Sequence, residues 1–99
     1  MGITYASKPK QPWEEIPTYI DFVNRIPSGE TILSQSVTCS DSAGVDKTTT
    51  MIKSVSVSGT KVYFTYLGGA DGQTYKATVR TTSANAKVEE DFVFNVKEY

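Results

Sequence analysis

The sequence predicts an all-β chain: an antiparallel sandwich of two sheets and about seven strands. Three observations predict it. Apolar and polar residues alternate in stretch after stretch; turn segments bearing Gly, Ser, Asn or Asp separate those stretches at intervals of about 8–12 residues; and no convincing helical stripe lies between them. Alternation gives every strand one buried and one wet face, which two sheets packed face to face satisfy at once.

Met1 to Pro17 carries Pro9, Pro12 and Pro17, so no helix runs through it, because proline removes a backbone donor and pushes the preceding residue to extended geometry. We read residues 1–17 as an extended N-terminal arm with a short edge strand at Ile3 to Ser7, and residues 18–99 as the sandwich domain. Thr18 to Val23 is a strand closed by the turn Ile26-Pro27-Ser28-Gly29. Thr31 to Ser40 follows, with Leu33, Val37 and Cys39 expected on one face and Ser34, Ser36 and Thr38 on the other. Asp41 to Asp46 is a loop, and Thr48 to Ile52 is a short strand or part of a longer connection.

Lys53 to Val57 and Lys61 to Leu67 flank Ser58-Gly59-Thr60, the spacing of a hairpin, with Val55 and Val57 expected to face Val62, Phe64 and Tyr66. Gly68 to Gly72 makes the next reversal. Thr74 to Thr82 alternates through Tyr75, Ala77 and Val79, and Lys87 to Val96 closes the chain with Phe92, Phe94 and Val96 on one face. Tyr75 opens its strand just after a tight turn, where a buried ring with its hydroxyl bonded to upstream backbone forms a tyrosine corner. That feature, with the strand count, points to the immunoglobulin or fibronectin type III kind of sandwich. The antibody variant is disfavoured, since Cys39 is the single cysteine and Trp13 lies in the arm.

The 99 residues suffice for one core, and an intramolecular disulfide is impossible. Cys39 reads as a small buried hydrophobe. A net charge of −1 with scattered Lys and Arg argues against nucleic acid, which is bound by concentrated positive charge. No apolar run approaches the ~18 residues of a membrane span, and Met1 to Lys10 has no basic-then-apolar leader pattern.

Catalytic machinery is hard to build here. The chain has no histidine, which excludes Ser-His-Asp triads, Cys-His dyads and His-containing metal sites. Glu14-Glu15 and Glu89-Glu90-Asp91 put neighbouring carboxylates on opposite faces of a strand, so we read them as solvated charges rather than as an acid–base pair. Asp41, Asp46 and Asp71 sit in Gly-bearing loops where some modules bind calcium, but Asp is also an ordinary turn residue, and no cofactor or metal is expected. The candidate partner-binding residues are therefore Trp13, Ile16, Tyr19 and Tyr63. Tyr63 has the parity of the wet face, and Trp13 and Ile16 make the arm apolar enough to pack along its own sandwich or across a neighbouring subunit.

The stretch from Lys10 to Glu98 resembles a family of small prophage-encoded fibre-to-tail adaptors. The matching features are Lys10-Gln11-Pro12, Tyr19-Ile20-Asp21-Phe22, Gly29-Glu30-Thr31-Ile32, Asp41-Ser42-Ala43-Gly44, Val57-Ser58-Gly59, Gly68-Gly69-Ala70-Asp71-Gly72-Gln73-Thr74-Tyr75 and Asp91-Phe92-Val93-Phe94-Asn95-Val96. Trp13 stands where a small residue is expected. The resemblance implies a non-catalytic tail or fibre protein of a phage or prophage virion, assembled in the bacterial cytoplasm, whose partners are other phage structural proteins or further copies of itself, with no role for nucleic acid or membrane. The competing reading is a carbohydrate or cell-surface binding module using exposed rings.

Overall fold

In the computed structural model, which describes residues 4–6 and 10–98, two β-sheets account for almost all the regular structure. The elements in chain order are β1 (Thr4–Ala6), β2 (Glu15–Asp21), β3 (Ser34–Asp41), α1 (Thr48–Met51), β4 (Ile52–Ser58), β5 (Lys61–Leu67), β6 (Thr74–Thr82) and β7 (Lys87–Asn95). One sheet runs β2-β5-β4 and the other β1-β7-β6-β3. Strands β2 to β7 pair antiparallel throughout, while β1 lies parallel to β7, Tyr5 opposite Phe92. The all-β reading is met, and the edge strand expected from Ile3 to Ser7 is present as Thr4–Ala6; Ile3, Ser7, Pro9 and Tyr99 lie outside the described residues.

The period-2 pattern sets the core. Val37 and Cys39 of β3, Tyr75, Ala77 and Val79 of β6, and Phe92 and Phe94 of β7 turn inward from one sheet. Ile20 of β2 and Val62, Phe64 and Tyr66 of β5 meet them from the other. Tyr66 packs against Phe92 and Phe94 with ring centroids 5.0 and 4.7 Å away, and Phe64 meets Phe92 edge-on at 5.9 Å. These contacts join β5 to β7 across the sandwich, each contributing about 0.5–1.5 kcal/mol beyond the burial of its area.

The tyrosine corner is formed. Tyr75 is buried, its ring stacks on Phe94, and its hydroxyl accepts the Ala70 backbone N–H at 2.9 Å. The turn that makes this possible needs glycine: Gly69 has φ +96°, and a Cβ there would stand 2.6 Å from Val96 Cγ2 and 3.0 Å from the Tyr75 ring.

Four local expectations are corrected. Strand β2 starts at Glu15 and ends at Asp21, taking in Pro17, because an edge strand tolerates a residue without an N–H. Of the two readings of Thr48 to Ile52, the strand is corrected and the connection holds: Thr48–Met51 is one helical turn between β3 and β4, opened by Asp46, whose carboxylate accepts both the backbone N–H and the hydroxyl of Thr48. Leu33 is 69% exposed, because β3 begins only at Ser34 and Ile32 takes the buried place, its N–H bonded to Gly59 O. Val55 does not find its expected partner, because the β4–β5 register shifts between Lys53 and Ser56 in a β-bulge with Ser54 at φ +57°; Val57 does stand opposite Val62 as expected, but both valines stay exposed because β4 lies at the sheet's edge.

Glu90 overturns the reading of its segment as solvated charge. It is fully buried, on the same face of β7 as Phe92 and Phe94, and accepts a charge-assisted hydrogen bond from Arg25 of the turn after β2. Its second oxygen, Oε2, has no protein partner. Glu89 and Asp91 do point outward, to Arg80 and Thr78. Cys39 is buried and free, and burial, with the Asp46 and Asp41 carboxylates adding to it, pushes its thiol pKa up to about 11.

Two outcomes follow. Phe94→Ala removes the ring that touches Tyr66, Tyr75 and Phe92 and lowers stability by about 3–5 kcal/mol in urea denaturation; an unmoved midpoint contradicts the packing. The folded Cys39 holds its proton more tightly than the unfolded thiol, so its contribution is complete below the unfolded pKa of 9.0 and lost as pH rises to about 11. Urea midpoints across that interval fall less steeply for Cys39→Ala than for the wild type.

Candidate interaction surface

Proline at the edge, tyrosine at outward parity and a two-residue hairpin turn give the β2-β5-β4 sheet its outer face. Tyr19 pairs in register with Tyr63, and both rings point away from the core, 5.4 Å apart between centroids and tilted by 42°. Tyr19 is 53% exposed and Tyr63 37%. Lys61, two residues before Tyr63 on the same face, carries its ammonium 5.1 Å from the centre of the Tyr19 ring, within cation–π range. Asp21, opposite Lys61, accepts from the Thr60 hydroxyl at 2.8 Å and from Val23 N–H at 3.0 Å, fixing the strand end beside the turn. At the other end of the face Lys53 donates to Glu15.

Ile16 does not belong to this face. It alternates inward from Glu15 and Pro17 and packs, half-buried, against the core, so it anchors β2 rather than presenting itself to a partner. Trp13 does the opposite: its side chain is 92% exposed, on the turn that carries the chain from the β7 side to β2. Of the four sequence candidates, the structure brings Tyr19 and Tyr63 together, leaves Trp13 free on the adjoining turn and withdraws Ile16 into the packing.

The residue that positions Trp13 has no signal in the sequence. Lys10 is fully buried, although lysine is rarely so. Its backbone is laid against the end of β7, N–H to Asn95 O and C=O from Lys97 N–H, both at 2.8 Å. Its ammonium reaches the other sheet and donates to Gly68 O and Gln11 O, each at 2.6 Å, and to Pro12 O at 3.4 Å. Three carbonyls thus take up the three N–H bonds of the ammonium, which is what a buried charge without a contacting carboxylate requires. Burial still draws the Lys10 pKa below its usual value, opposed by the Glu14 and Glu15 carboxylates. The turn is closed from its other side by Gln11 N–H on the Glu14 carboxylate at 2.7 Å and Glu14 N–H on Gln11 O at 3.0 Å.

The loop carboxylates serve the backbone. Asp41 accepts the N–H groups of Ala43 and Val45, Asp46 that of Thr48 and Asp71 that of Glu98. Among the described residues, no cluster of three or more His, Cys, Asp or Glu could hold a metal ion. No helix among the described residues is long and apolar enough to cross a membrane.

Lys10→Met keeps the length of the side chain but strips the donor from Gly68 O and Gln11 O. It is expected to cost about 2 kcal/mol in denaturant titrations and to loosen the 10–14 turn, read as lower fluorescence anisotropy of Trp13, the chain's single tryptophan. Unchanged anisotropy and stability contradict the clamp.

A family model described as "Podophage GP4 fiber-tail adaptor protein gp77" matches residues 10–95, a span that includes Lys10, Trp13 and both outward tyrosines. No curated protein and no solved structure matches the chain.

Proposed function

This chain belongs to the podophage GP4 fibre-tail adaptor family, and on that premise we propose that it is a non-catalytic assembly protein whose outer tyrosine face and Trp13 turn contact tail or fibre proteins of the virion. The observation that carries this reading is the exposure of Trp13 beside a rigidly held crossover. An indole left 92% in water costs solubility and contributes nothing to the core, whereas at an interface Trp and Tyr are the residues that anchor binding. A fixed turn presents such an anchor with little ordering entropy left to lose on association.

In this proposal the described sheets form an immunoglobulin-like sandwich, the formed tyrosine corner being its support. The turn bearing Trp13 belongs to the contact surface, and the two sheets are the module that carries it. Copies are taken up into virions from the bacterial cytoplasm. The partners are other phage structural proteins, without nucleic acid or membrane, since the net charge is −1 and Lys and Arg are scattered along the sequence rather than concentrated.

A carbohydrate-binding reading draws on the same two tyrosines. The 42° tilt between them provides no common plane on which one sugar ring stacks, which favours a protein partner.

The test is co-sedimentation with purified tail and fibre proteins of the phage that encodes the chain. Wild-type protein is expected to bind; Trp13→Ala combined with Tyr63→Ala should weaken binding at least 100-fold, on the order of 3 kcal/mol, while both exposed sites leave the fold intact by circular dichroism. Undiminished binding removes this surface from the contact, and binding to glycans in place of tail proteins establishes the alternative.

A further inference from the structure

A two-sheet fold that does not close leaves strand edges, and here they are not equally protected. Strand β1 is three residues long. Strand β2 carries Pro17, which has no N–H to offer, and ends in Asp21. Strand β3 is covered at its far end by its own loop: Lys47 N–H bonds to Cys39 O at 2.7 Å, the Thr48 hydroxyl accepts Cys39 N–H at 2.9 Å, and Ser40 bridges Asp46. Among the described residues strand β4 pairs only with β5; it has no proline, carries no charge from Ser54 to Ser58, and beyond the bulge at Ser54 and Val55 is back in regular register at Ser56, Val57 and Ser58. Val55 and Val57 are 38% and 39% exposed on it.

We propose that β4 is the edge at which two copies of this chain pair, antiparallel, about a two-fold axis at Ser56. The sequence around that residue, Ser54-Val55-Ser56-Val57-Ser58, reads the same in both directions. Antiparallel pairing of identical strands opposes residues symmetric about the axis, so Val55 meets Val57 of the second copy, Val57 meets its Val55, and Ser56 meets Ser56. Lys53 then opposes Gly59, so no like charges face each other; a strand of another sequence would match this pattern only by chance. The hairpin supplies the donors. A two-residue turn makes Ser58 and Lys61 a bonded pair, so the backbone groups of Val57 turn to the free side.

The product is one continuous sheet in the order β2-β5-β4-β4-β5-β2, an isologous interface that closes and does not propagate. Ser56 is in register with Tyr63, so the two copies' Tyr63 rings come to lie on one face, three strand spacings or about 14 Å apart. The bulge at Ser54 limits the ladder to a few residues, so the association is weak and builds up at high local concentration. The inference stands whichever protein the tyrosine face contacts.

Sedimentation velocity from about 10 µM to about 1 mM covers the range of such an interface, and charge placed on the axis tests it. Ser56 is exposed, so Ser56→Lys and Ser56→Glu should each fold normally by circular dichroism. We expect the wild type to sediment as a growing fraction of dimer, each variant alone to associate at least 10-fold more weakly, and an equimolar mixture of the two to recover dimer. A wild type monomeric across the range overturns the proposal, as does a dimer indifferent to both substitutions, or variants that stay apart when mixed.

Discussion

The aromatic contacts between β5 and β7 are the constraint on which the remaining structure depends. The two sheets share no hydrogen-bonded ladder, so what holds them at a fixed offset is the interlocking of Phe64 and Tyr66 with Phe92 and Phe94. With that offset set, Tyr75 stacks on Phe94 and its hydroxyl reaches Ala70, which fixes the Gly68–Gly69 turn. Gly68 O in turn is one of the oxygens that receive the Lys10 ammonium. The position of the exposed Trp13 is thus inherited, step by step, from ring packing in the core.

Much of this was legible because alternation is a local signal. The inward positions of β6 and β7 follow directly from Tyr75, Ala77, Val79, Phe92 and Phe94, and the corner from a tyrosine just after a glycine-rich turn. Glu90 shares its parity with Phe92 and Phe94, so strict use of the period would have placed it inside; its charge argued the other way, and the compensating Arg25 lies 65 residues away in sequence. The Lys10 ammonium donates to backbone carbonyls, which leave no trace in side-chain pattern. Val57 meets Val62 as the hairpin spacing predicts, whereas Val55 was misplaced because a bulge shifts the register without a glycine or proline to announce it. Of the surface candidates, parity placed Tyr63 outward, the pairing of Tyr19 with it had no signal in the local pattern, and hydrophobicity alone could not tell the exposed Trp13 from the half-buried Ile16.

Each of the two buried charges carries a desolvation cost, and both sit where chain segments cross between sheets. Glu90 ties β7 to the turn leaving β2, and Lys10 ties the end of β7 to the end of β5. Each charge has a specific set of partners there, Arg25 for Glu90 and the carbonyls of Gly68 and Gln11 for Lys10. For a family defined by joining one assembly to another, a single geometry is worth more than a slightly deeper energy minimum.

Because the segment at Lys10 runs parallel to the end of β7 and exchanges backbone hydrogen bonds with Asn95 and Lys97, opposite pulls on the two ends of the described chain would drag these neighbours past each other lengthwise. The bonds along that seam would then be loaded together in shear instead of peeling singly.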